Sequence, residues 1–122
     1  MNQLRQIQVV LRSVLVPVTL RDASISTTEA FDMLRQRRRQ HIIRYLTEVE
    51  GTATLRDLSE HLATVEGCGR KRIYIALYQN HLPKLADVGA VHYQRRSGVI
   101  TATTTTRFLW LVLRGAKWIL AE

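Results

Sequence analysis

Apolar residues recur at three- and four-residue steps in six stretches of this chain, and at alternate positions in a pair of short stretches near its end. Leu4, Ile7, Leu11, Val14 and Val18 give the first helical stripe, predicting a helix over Gln3–Val16 that Pro17 ends. Val14, Val16, Val18 and Leu20 also alternate, so a strand is the competing reading there. After an Arg21–Ser26 linker, Ser26 or Thr27 caps a short helix over Thr28–Arg35, with Ala30, Phe31 and Leu34 inward. A helix over Arg37–Val49 buries Ile42, Ile43, Tyr45, Leu46 and Val49 and stops at Gly51. Thr52–Thr54 is a short β-prone stretch, and Thr54 caps a helix over Leu55–Thr64 facing inward through Leu55, Leu58, Leu62 and Ala63.

Glu66–Gly69 is a turn punctuated by two glycines. The longest helix, Arg70–Val88, carries Ile73, Tyr74, Leu77, His81, Leu85 and Val88 on one side and Arg72, Ala76, Gln79 and Pro83 on the other. Pro83 is a candidate kink, and Gly89 is the stop. Strands come next over Ala90–Gln94 and Val99–Thr103, joined by the four-residue turn Arg95–Gly98, where Gly98 supplies a positive φ. The Thr103–Thr106 run leads to a last helix, Arg107–Ala121. A helix pair and then a hairpin give the expected fold: mainly α within an α+β class, a winged helix-turn-helix with a two-stranded wing and flanking N- and C-terminal helices. Residues 1–25 are then an N-terminal extension and candidate dimerisation segment. Residues 26–103 are the winged-helix domain, and residues 104–122 an apolar helix suited to dimerisation.

Charge sharpens this picture. The 122 residues hold 18 Lys+Arg against 10 Asp+Glu, a formal charge of +8. All but three of the basic residues are arginine, whose planar fork suits phosphates and guanine edges. A polyanion is the leading partner class, double-stranded DNA first and an anionic membrane surface second. One cysteine, Cys68, excludes an internal disulfide. No apolar run approaches the length of a membrane span, and Ser13–Leu20 is too short and proline-broken for a secretion signal, so a cytoplasmic location is expected.

Four pieces of the sequence resemble a functionally uncharacterised family of archaeal winged-helix domains, best populated in halophiles. They are AFDMLRQRRRQHIIRYL (Ala30–Leu46), GTATLRDLSEHLA (Gly51–Ala63), RKRIYIALYQNHLPKLADVGAVHY (Arg70–Tyr93) and SGVITAT (Ser97–Thr103). The YQNHLPKL core is the most specific, and HLPKLADVGAV is similar to the recognition-helix end of ArsR-like repressors. The resemblance implies a winged-helix fold and transcriptional regulation, with no catalytic residues. Some relatives carry two membrane spans after the wing. Here Phe108–Leu113 is continuously apolar, but Arg114 and Lys117 interrupt the rest of that segment.

Three basic groups are the candidate DNA contacts. Arg37, Arg38 and Arg39, with Arg35 and Arg44 nearby, open a helix against its macrodipole, a cost that a phosphate would remove; the alternative is a solvated helix start. Arg70, Lys71 and Arg72 open the long helix in the same way. Arg72 suits a guanine edge and Gln79 an adenine edge, with small Ala76 between them. Arg95 and Arg96 occupy the hairpin tip. Tyr74 and Tyr78 read as core or core edge, with base stacking the minor alternative.

His41, His61, His81 and His92 lack paired ligand spacing, so neither a metal site nor any cofactor is expected, and His81 reads as a satisfied core histidine. Cys68 is an inert small residue or, alternatively, a redox-sensing thiol beside a basic helix start. No nucleophile elbow or phosphate loop is present, and no small-molecule substrate is evident, so no enzyme activity is expected. The final helix, with Trp110 and Trp118, is too apolar to lie free in water. It closes the core, pairs with a second copy or rests on a membrane surface, and a homodimer is favoured. The competing function is a winged-helix protein-interaction module, or a regulator tethered to a membrane surface by this helix.

Overall fold

The computed structural model describes residues 25–121, so the helix expected over Gln3–Val16 lies outside it. Helix α1 spans Thr27–Leu34. The Ser26 hydroxyl accepts the Glu29 N–H at 3.1 Å, and the Glu29 carboxylate accepts the Ser26 N–H at 3.0 Å, a reciprocal cap. Its buried face is Ala30, Met33 and Leu34; Phe31, expected inside, is 62% exposed. Helix α2, Arg37–Glu48, buries Ile42, Ile43 and Leu46 completely. Glu50 and Gly51 then turn the chain with positive φ into strand β1, Thr52–Thr54. Thr54 caps helix α3, Leu55–Glu66, by accepting the Asp57 N–H at 3.1 Å, and left-handed Gly67 ends it.

The expected long helix is not uniform. Helix α4, Arg70–Ala76, runs into a π turn at Leu77–His81 and on into helix α5, Leu82–Asp87. Pro83 is the physical reason. It lacks an N–H, and its ring would press on the carbonyl four residues back in a regular α-helix. The wider turn just before it, where the Leu82 N–H reaches the Leu77 carbonyl, keeps the rod helical through the proline. Ile73, Leu77, Leu82 and Leu85 anchor this rod at full burial, and Gly89, at φ +73°, stops it. His81 is buried as expected, but it is not satisfied: its Nδ1 has no hydrogen-bond partner among the described residues. Tyr74 and Tyr78 are not core: they stay 43% and 39% exposed.

Strands β2, Val91–Gln94, and β3, Val99–Ala102, form the expected hairpin. Strand β1 adds to its other edge, giving an antiparallel sheet in the order β1–β3–β2, with Ala53 and Tyr93 both opposite Ile100. The fold is therefore mainly helical with one small three-stranded sheet. Gly98, at φ +73°, closes the hairpin turn by donating to the Gln94 carbonyl at 2.9 Å. Its own carbonyl accepts the Leu55 N–H at 2.7 Å, which ties the hairpin end to the start of α3.

Helix α6, Thr104–Leu120, begins three residues before the apolar stripe predicts. The threonine run is its cap and first turn: Thr103 and Thr106 form a capping box, Thr103 donates to the Gly89 carbonyl at 2.6 Å, and Thr106 donates to the Ala90 carbonyl. Leu109 and Leu113 close the core against α2, while Trp118, Ile119 and Leu120 remain exposed. No helix among the described residues is long and apolar enough to cross a membrane.

Candidate nucleic-acid interface

Helix α3 and helix α4 pack against each other, and their shared outer edge carries positive charge. Arg56 from the first turn of α3 and Arg70, Lys71 and Tyr74 from α4 line one open cleft of about 600 Å³. Glu60 bridges its two sides, 3.4 Å from Arg56 and 3.5 Å from Arg70. Both pairs are exposed, so each contributes under about 1 kcal/mol and leaves the arginines free to exchange partners. Among the described residues, no ion pair involves Lys71, Arg72, Arg95 or Arg96, and all four are exposed.

An aromatic ladder joins this helix to the hairpin. The Tyr74 and Tyr78 rings stack at 6.5 Å with 7° between their planes. The Arg95 guanidinium sits over the Tyr78 ring, 5.0 Å from its centroid. Burial pushes the nearby Tyr93 phenol up, with Tyr78 and Tyr74 adding to the shift and Arg95 opposing it. The hairpin tip and the basic helix thus form one surface. Gln79 is exposed on the π turn. Ala76 is half-buried, and the exposed residues between Arg72 and Gln79 are Tyr74, Ile75 and Tyr78.

The arginine run of α2 departs most from expectation. Arg39 is 1% exposed. Its Nε donates to the Met33 carbonyl and its Nη2 to the Asp32 carbonyl, each at 2.9 Å. Gln40 donates to the Leu34 carbonyl at 2.6 Å. These are the unpaired carbonyls of the last turn of α1, so the dipole cost of arginine at the start of α2 is offset by the negative end of α1 rather than by a phosphate. Arg38 faces Glu66, with Nη2 2.8 Å and Nε 3.0 Å from its carboxylate oxygens. That contact raises the Arg38 pKa and lowers that of Glu66. The Arg38 and Arg39 guanidinium groups are therefore engaged by partners within the protein. Arg37 alone of the three is exposed with no ion-pair partner among the described residues.

Sequence reasoning missed Arg56, Ile75 and the exposure of both tyrosines. Arg56 comes two residues after a capping threonine, the one signal that could have found it. His81 is held neutral: burial first, then Arg39 and Arg38, push its pKa down to about 4. Cys68 is exposed in the α3–α4 turn. No three His, Cys, Asp or Glu side chains gather into a metal-binding group among the described residues.

Among known families, the one described as a domain of unknown function (DUF7344) matches residues 31–101, from α1 to β3. No curated protein and no solved structure matches the chain.

Proposed function

The chain belongs to the DUF7344 family, and we propose that it binds double-stranded DNA as a winged-helix transcriptional regulator. Helix α4 and the π turn enter the major groove, α3 lies across the backbone, and the β2–β3 hairpin acts as the wing. The observation that carries this reading is the Arg95–Tyr78 contact, which joins hairpin tip and helix into one basic surface with Arg56, Arg70, Lys71 and Arg72. The ArsR-like character of His81–Val91, an archaeal source and a cytoplasmic location belong to the same proposal. The test is an anisotropy titration of the full chain with a random-sequence duplex. Micromolar binding that weakens steeply with salt supports the reading; no binding at low salt overturns it.

A homodimer completes the proposal, as it would on a twofold operator. Its support is the exposed end of α6, where Trp118 is 79% and Ile119 75% exposed. A mainly apolar groove between α1 and α6 lies beside it, with Phe31, Val112 and Leu120 among its lining and Asp32, Arg35, Gln40 and Lys117 also bordering it. Light scattering should give a dimer mass for the natural chain and a monomer mass for Trp118→Glu. A natural chain that stays monomeric at high concentration rejects this interface.

A further inference from the structure

Of the eight large apolar side chains exposed among the described residues, three sit on the basic helix: Tyr74, Ile75 and Tyr78. The tyrosines stack on each other, and Arg95 covers one of them. Ile75 is different. Ile73 and Leu77, two residues to either side, are fully buried, so the helical turn carries Ile75, 44% exposed, away from the core. Lys71 and Gln79 stand four residues before and after it and are exposed too. The π turn, wider than an α turn, brings Gln79 more nearly into line with Ile75. One exposed stripe of the helix is therefore a cation, a β-branched hydrocarbon and an amide.

The floor of the major groove offers one apolar group, the 5-methyl of thymine, and the adenine edge is the one an amide pairs with twice. We infer that Ile75 is a specificity-determining residue that reads a thymine methyl group, with Gln79 on a neighbouring adenine. This inference rests on the duplex-binding reading. A protein partner for the same apolar residues is disfavoured by their setting, since Lys71, Arg72, Arg70 and Arg95 surround them with positive charge.

Thymine and uracil separate the possibilities, because they share the same pairing edge and charge and differ only by that methyl. Duplexes recovered from a random pool by the full-length chain are remade with deoxyuridine replacing thymine one position at a time. At one position or more, the natural chain should bind the uracil duplex about fourfold more weakly, as expected when one buried methyl group is removed. Ile75→Ala should bind both forms alike, and Ile75→Val should keep part of the difference; thermal melts check that both variants fold. Equal binding of thymine and uracil at every position, with duplexes still recovered, overturns the role of Ile75 and leaves DNA binding standing. Discrimination retained in Ile75→Ala also overturns it, since the methyl is then sensed elsewhere or through duplex shape. Recovery of no duplex at all overturns both readings and leaves the helix face as a surface for protein.

Discussion

The guanidinium of Arg95 lies over the ring of Tyr78, 5.0 Å from its centroid, and so fixes the tip of the β2–β3 hairpin against the exposed face of the basic helix. Gly98 anchors the other end of that turn to Leu55. The two contacts hold the hairpin tip at a set distance from the helix, which a duplex contacted by both elements requires.

Changing Arg95 and Arg96 to Ser should remove this positioning at little cost to the fold. An exposed cation–π contact contributes about 0.5–1 kcal/mol. The melting temperature should fall by only a few degrees, while duplex affinity at fixed salt falls severalfold. Tyr78→Phe, which keeps the ring, should preserve affinity; Tyr78→Ala should reproduce part of the loss. A large drop in melting temperature with unaltered affinity would mean that the tip serves packing alone.

Arg38→Gln should act on stability and not on DNA. It removes a two-pronged contact and leaves the Glu66 carboxylate half-buried without its cation, a loss of roughly 1–3 kcal/mol. Arg39→Met keeps much of the volume but strips the Asp32 and Met33 carbonyls of their donors, and should cost at least as much. Chemical denaturation reads both losses. The salt dependence of duplex binding should match the natural chain in each, and a flatter slope for Arg38→Gln would return that arginine to the interface.

His81 makes stability depend on pH. Its pKa is about 4 in the fold, held down by burial and by Arg39 and Arg38, against about 6.5 in the unfolded chain. As pH falls below about 6.5 the unfolded chain gains a proton that the fold refuses. Stability is therefore full above that pH and is lost progressively down to about 4, by on the order of 3 kcal/mol. Denaturation midpoints between pH 7 and 4 should decline in the natural chain and decline less in His81→Leu. Parallel profiles would assign the acid sensitivity to other groups.

Much of the fold was legible in the sequence because its signals are local. Ser26, Thr54 and Gly98 each do what the residue type predicts at its position, since a cap or a turn involves only neighbours three or four residues away. Arg39 was not legible, because its partners belong to the preceding helix and only the packing of α1 on α2 brings them together. Tyr74 was misassigned because it adjoins buried Ile73 at the edge of the stripe, where a fixed angular step cannot separate rim from core. Gln79 faces outward as its position in the stripe predicts, but its alignment with Ile75 depends on the π turn, which Pro83 hints at but whose phase only the structure gives. Residues 37–39 stand out in the sequence as a charge run, whereas Arg56, a lone cation near a cap, lines the cleft.

The most direct measurement is the slope of log affinity against log salt for a single duplex, compared between the natural chain and the double variant Lys71→Gln, Arg72→Gln. Removing one phosphate contact should flatten the slope by about 0.9. The double variant should therefore show a slope shallower by about 0.9 to 1.8, with an unchanged melting temperature, because both side chains are exposed and neither is in an ion pair among the described residues. Identical slopes, or a natural chain whose affinity does not respond to salt, would contradict duplex binding through this helix.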